Sequence, residues 1–360
     1  MAEQLDERDG KMDIAIIGLS LSSSWGNGHA TTWRSLMKGL RQRGHNVSFF
    51  ERSEPWYEAN RDLQDYPSLH FYASAKDLLD EWRDEFRKAD AIIIGSYVRE
   101  TARLVHEFRR GYPAVLAFYD IDTPVTIAQL QRGQCGYLER ELLPEFDLYL
   151  SFAGGAVLDE LRLLGVRRPE PLYCSVDPDV HSPVEVANEV DLGYLGTWSE
   201  DRQPGLEELL FRPATDWRDG RFTVAGAQYP DANRWPQNVH HVAHLPPQEH
   251  AGFYCGQRFT LNLTRADMRR MGYSPSVRLF EAACCGTPVI SDTWTGLNSF
   301  FRIGEEILVA SSRDDVLAYI REMTDGDRAT LSEAARARVL ESHTGLQRAV
   351  ELESQLQLPA

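Results

Sequence analysis

Two stretches of this sequence hold residue types whose spacing suits chemistry. The first is SSWGNGHATTW, where small residues from Ser20 to Gly28 lead to His29. Small residues let a backbone approach a ligand closely. An imidazole titrates near neutrality, as a general base must. AVLAFYDIDTP then places Asp120 and Asp122 just past an apolar run. A carboxylate paired with His29 would orient the ring and support its charged form. Asp120 is the first candidate and Asp122 the second, because strand alternation can send either one toward a ligand. The plainer alternatives are a histidine packed on Trp33 and aspartates that cap a turn.

The second stretch is GYSPSVRLFEAACCGTPVISD, Gly272 to Asp292. Ser274 reads as an N-cap and Pro275 as the first helical residue. The amides of that first turn, from Tyr273 and Ser274 through Ser276 and Val277, would form an anion site. Glu281 follows on the same helix, where a carboxylate could accept from the paired hydroxyls of a ribose. Gly286 and Pro288 end the helix, and PVISD supplies a strand. Upstream, LGYLGTWSEDRQPGL offers Thr197 and Arg202, and LNLTRADMRRMG offers Arg265 right after a strand. Arg265 is the preferred diphosphate partner, with a planar fork suited to phosphate; Arg269 and Arg270 are weaker candidates. Arg278 could simply pair with Glu281 along the helix. His244 and Leu245 close VHHVAHL, where main chain could read a base edge, with strand packing the simpler role. Together these residues suit a nucleotide with a ribose and a diphosphate.

Short apolar runs must position these groups. Strands are expected at 13–18, 46–51, 91–96, 114–120 and 148–153, and again at 192–196, 222–227, 239–245, 258–263, 288–292 and 306–310. Helical patterns fall between them at 30–43, 75–88, 99–110 and 156–164, then near 205–212, 247–255, 276–285, 313–323 and 328–356. Apolar runs alternating with helices predict parallel sheets covered on both faces. The expected organisation is a charged leader at 1–11, a Rossmann-like domain at 12–174, a polar linker at 175–191 and a second such domain at 192–327. Two doubly wound α/β domains are expected to face one another across a cleft, each binding at its strands' carboxyl ends. The first loop is not GxGxxG, so a nicotinamide site is disfavoured. Glu51, at the end of NVSFFE, is then expected to contact an acceptor or to end its strand, and WYEAN (56–60) to close the first core.

Composition narrows the classes. A chain of 360 residues with 42% hydrophobic residues supports two cores. A formal charge of −16 argues against a phosphate-backbone binder, so no nucleic-acid partner is expected. No apolar run is long enough to span a membrane. Five cysteines without a Cys-x-x-Cys pair suggest packing in a reduced, cytoplasmic setting and no metal site.

With these motifs assembled, residues 12–350 resemble CgeB-like bacterial glycosyltransferases, a branch of the B-type (GT-B) superfamily. SSWGNGHATTW, FYDIDTPVT, LGYLGTWSEDRQPGL, LTRADM and GYSPSVRLFEAACCGTPVISD carry the likeness. The resemblance implies two Rossmann-like domains, a nucleotide-sugar donor held mainly by the second, and no cofactor or required metal. It implies a C-terminal helix, within 328–356, that crosses back to the first domain. It assigns the ribose to Glu281 and the diphosphate to the helix-start amides and Arg265. Many retaining members carry Glu-x7-Glu, but Tyr273 stands eight residues before Glu281. The His29–Asp120 placement is similar to the pair of inverting enzymes. The expected activity is hexose transfer from a uridine diphosphate sugar to a hydroxyl acceptor. A nucleotide-sugar epimerase, or a non-catalytic protein of envelope or spore assembly, remains an alternative.

Overall fold

The computed structural model describes residues 10–357 apart from 26–27, 64, 188 and 231–234. Most of the leader expected at 1–11, and part of the GNG turn before His29, lie outside the described residues. The chain divides into two compact units, Met1–Tyr173 with Gly345–Ala360, and Cys174–Thr344. The segment 175–191, read above as a linker, thus falls within the second unit. No helix among the described residues is long and apolar enough to cross a membrane.

The first unit is built on β1 Asp13–Gly18, β2 Asn46–Arg52, β3 Leu69–Tyr72, β4 Ala91–Gly95, β5 Val115–Asp120, β6 Leu148–Ser151 and β7 Pro169–Pro171. They form one parallel sheet in the order β3-β2-β1-β4-β5-β6-β7. Runs such as AIIIG of β4 are buried throughout, which is why they lack polar alternation. The order reverses at β1 and β4, and the loops leaving their carboxyl ends form the ligand position of such sheets. β3 and β7 escaped the sequence reading: one is edge-lying and half-buried, the other is the proline-bounded PEP.

The second unit holds β8 Val190–Leu195, β9 Phe222–Ala225, β10 Val239–Val242, β11 Gln257–Asn262, β12 Val289–Ser291 and β13 Leu308–Val309. Its parallel order is β10-β9-β8-β11-β12-β13, reversing at β8 and β11. Leu192, Phe222, Phe259, Leu261 and Ile290 anchor its core. β10 stops at Val242, so His244 and Leu245 stand in the following loop rather than at a strand end.

Several helices differ from expectation. The 75–88 pattern is two short helices, Ala75–Glu81 and Arg83–Lys88. The 328–356 pattern is also two, Asp325–Ser342 in the second unit and Gly345–Gln357 in the first. His343 breaks the run, leaving helical geometry and stacking on Phe280 at 4.3 Å between ring centroids. The Gly345–Gln357 helix packs along the helix His29–Gln42. A Cβ on Gly39 would stand 2.1 Å from the Gly345 carbonyl oxygen, and one on Gly345 would stand 2.0 Å from that of Ser35. Only glycine permits that backbone approach.

Candidate functional site

In the first unit the loop after β1 is held from below by Glu51. This buried carboxylate accepts from Ser20 Oγ (3.1 Å), the Leu21 amide (2.7 Å), the Ser22 amide (2.8 Å) and Ser22 Oγ (2.7 Å). Those donors occupy it, so Glu51 shapes the β1 loop instead of meeting an acceptor. WYEAN contributes Tyr57 to the core, while Trp56 remains 43% exposed.

His29 opens the helix His29–Gln42 and is only 8% exposed. Its Nε2 lies 3.3 Å from Asp122 Oδ2, which also accepts the Tyr97 hydroxyl at 2.8 Å. Tyr97, just past β4, holds a left-handed backbone at φ 67° and sets its ring 5.4 Å from that of His29. Such an outlier persists only where its surroundings hold it.

The partner of His29 is therefore Asp122, and the first choice, Asp120, is corrected. Asp120 is the last residue of β5 and is fully buried. It accepts from Tyr149 Oη (2.7 Å), Thr126 Oγ1 (2.8 Å) and the Asp122 amide (3.1 Å). Burial pushes its pKa up to about 6 despite those three hydrogen bonds. Strand alternation aims Asp120 into the core beside β6. Asp122 lies where the chain has already turned: it holds the N-cap position of Thr123–Gln131, yet its side chain caps nothing there.

In the second unit the GYSPS turn is fixed against Thr295. Tyr273, at φ 48°, donates its amide to the Thr295 carbonyl at 2.7 Å. A Cβ on Gly272 would stand 2.7 Å from the same oxygen. The helix begins two residues later than expected, at Val277, and its N-cap is Ser276, whose Oγ accepts the Arg278 amide at 3.4 Å. Ser274 is corrected from cap to turn support: it is buried and donates to the Gly272 carbonyl at 2.8 Å. Pro275 is buried too, and its carbonyl accepts from Cys174.

Arg202 and Arg278, the second residue of this helix, lie within electrostatic reach of each other. Arg202 is not a solvated loop arginine; it donates to Ser199 Oγ (2.8 Å) and to the Thr197 carbonyl (2.6 Å). Burial, with the nearby Arg278 charge, depresses its pKa. Arg265 holds the N-cap position of Ala266–Met271. Burial opposes ionisation of Asp201, but hydrogen bonds from the Ala266 amide and Ser199, with the Arg265 and Arg202 charges, win and lower its pKa. Arg269 lies 3.9 Å from Asp292, while Arg270 pairs with Asp267 at 2.9 Å. Asp292 accepts the Thr264 amide and hydroxyl, bracing the turn that carries Arg265. His244 is exposed.

Glu281 lies in the buried face of Val277–Cys284. Tyr254 donates to its Oε2 at 3.1 Å, and Oε1 stands 3.7 Å from His181 Nε2, with both side chains 4% exposed. Burial alone would raise its pKa, but His181, His250, Arg278 and the Tyr254 hydroxyl outweigh it and hold the carboxylate charged. Tyr97, Arg278, Tyr254, His181 and His250 were not singled out as ligand residues from sequence. Arg278 alone had a signal there, as a cation at the start of the motif helix.

Residues 202–354 match the family described as glycosyl transferase-like. The match takes in Arg202, Arg265, Arg278 and Glu281 and omits His29 and Asp122. No curated protein matches the sequence. Among solved structures, sucrose-phosphate synthase from Thermosynechococcus elongatus is similar at 15% identity, covering 95% of this chain and 98% of that one, with a TM-score of 0.66. HepE of Anabaena, in complex with UDP and glucose, is similar at 12% identity over 96% and 99%, with a TM-score of 0.70. An alpha-glucosyltransferase in complex with UDP-glucose and DNA containing an abasic site is similar at 14% over 97% and 100%, with a TM-score of 0.71. At these identities the likeness is one of fold. The two parallel-sheet α/β domains are those of GT-B glycosyltransferase structures.

Proposed function

We propose that this chain is a CgeB-like glycosyltransferase that moves a hexose from a nucleoside-diphosphate donor, with uridine as the base, to a hydroxyl acceptor. One observation carries the reading. In a chain of net charge −16, Arg202 and Arg278 are close enough for their charges to oppose each other, beside the amino end of Val277–Cys284. Like charges gathered at a helix amino end lower their energy by meeting an anion. A diphosphate fits that demand, with Arg265 as a further partner. The family match over this same segment supports it.

In the proposed reaction the bond from the sugar's anomeric carbon to the diphosphate oxygen breaks and a bond to the acceptor oxygen forms. His29 takes the acceptor proton, and Asp122, opposite Nε2, supports the resulting imidazolium. The guanidinium groups and the Val277 turn take up the charge developing on the leaving diphosphate, with no metal or cofactor called for. Displacement by a base-activated hydroxyl inverts the anomeric centre. Glu281 takes the ribose hydroxyls, and at 4% exposure it must be uncovered when the donor enters. The net charge speaks against a nucleic-acid acceptor, and free cysteines suit a cytoplasmic setting.

Calorimetric titration with UDP, UDP-hexoses, ADP and NAD tests the donor. Uridine diphosphate species should bind best, and Arg278→Ala should bind them more weakly. Preference for NAD would overturn the reading. NMR of the products separates transfer from epimerisation, which would convert the donor without any acceptor.

A further inference from the structure

Three elements of the second unit bring together His181, His250 and Glu281, whose ligand atoms all lie within 4.8 Å of one another. His181 comes from the segment before β8, His250 opens the helix after β10, and Glu281 belongs to Val277–Cys284. Both ring nitrogens of His181 are buried without a hydrogen-bond partner. Leaving such groups unmet costs about 1–3 kcal/mol each; Nε2 faces Glu281 Oε1 at 3.7 Å, too far for a hydrogen bond.

Glu281 carries an outer support typical of a metal ligand. Tyr254 Oη donates to Glu281 Oε2, which turns Oε1 toward His181. Bonds of about 2.0–2.2 Å in tetrahedral geometry put ligand atoms about 3.3 Å apart, so modest rotation of the rings closes the set. Two imidazoles and one carboxylate suit zinc-like cations; calcium and magnesium need more oxygen.

We propose that His181, His250 and Glu281 form a binding site for a first-row divalent cation of the zinc type, completed by water. A consequence, which rests on the donor reading above, is that cation and donor compete, because both draw on the Glu281 carboxylate. The site then restrains the enzyme instead of driving its chemistry.

The test uses the full chain after chelator treatment and desalting. Zinc bound per chain is measured by equilibrium dialysis, and cobalt(II) is added as a spectroscopic reporter of the nitrogen–oxygen set. One zinc per chain is expected. His181→Ala and His250→Ala should weaken it by about 100-fold or more, and Tyr254→Phe, which keeps all three ligands, by about 10-fold. His240→Ala, an exposed histidine of the same unit, should bind as the parent does. If His181→Ala does not fold, Tyr254→Phe and His250→Ala carry the test. Less than about a tenth of a zinc per chain, or parental affinity in the ligand variants, overturns the site. In the second arm, UDP titrations with and without zinc should show weaker UDP binding with zinc. One zinc held by the three residues with unchanged UDP affinity overturns the competition and leaves the site standing. A metal-free protein that binds zinc but no UDP overturns the donor reading alone.

Discussion

Replacing Asp120 with asparagine should abolish a distinctive pH dependence of stability in the first unit. Asp120 is wholly buried among Tyr149, Thr126 and the Asp122 amide. Burial opposes its charged form more than the three donors support it, so its pKa rises from 3.8 to about 6. The folded chain therefore holds this proton more tightly than the unfolded chain does. Stability from the group is fully present below about pH 3.8 and is lost as pH rises to about 6. At about 1.36 kcal/mol per pH unit, that interval is worth about 3 kcal/mol. Asp120→Asn removes the titration while every other group titrates alike in both proteins. Urea unfolding followed by tryptophan fluorescence at intervals from pH 4 to pH 8 gives the difference directly. Trp33, buried against Phe49 and Tyr119, reports on this unit. The parent should gain about 2 kcal/mol over the variant between pH 7 and pH 4, most of the full interval. A flat difference, or a parent that gains as pH rises, would show that the hydrogen bonds win over burial and would refute the reasoning.

Other predictions follow from the same geometry. Asp122→Asn should lower the transfer rate by about 100-fold, the scale of general-base support, and leave UDP affinity unchanged; steady-state rates with calorimetry would show it. Arg278→Ala should weaken UDP binding by about 2 kcal/mol, the scale of a charged hydrogen bond, and uridine much less. Titration at rising salt would expose the charge dependence. Gly39→Ala should cost about 3 kcal/mol, since its Cβ would strike Gly345 backbone at 2.1 Å. Gly111→Ala, with nothing within 4 Å of the added carbon, should be neutral or stabilising in thermal melts.

The sequence by itself determined the alternation of buried strands and helices, and with it two parallel sheets. Unbroken apolar runs such as AIIIG leave few other ways to bury them. It also marked the loops at which chemistry would gather, because glycine-rich strand exits and a Ser-Pro helix start are local signals. Tertiary structure decided which group in each loop faces which partner. A difference of two residues separates Asp120, committed to the core, from Asp122 beside His29, and equally separates Ser274, a turn support, from the N-cap Ser276. Local pattern fixes a strand's alternation, but the direction after its last residue depends on what packs across the sheet. Nor could spacing reveal that His181, His250 and Glu281 meet, since they come from separate elements of a folded core. Proximity between distant positions exists only once that core has closed.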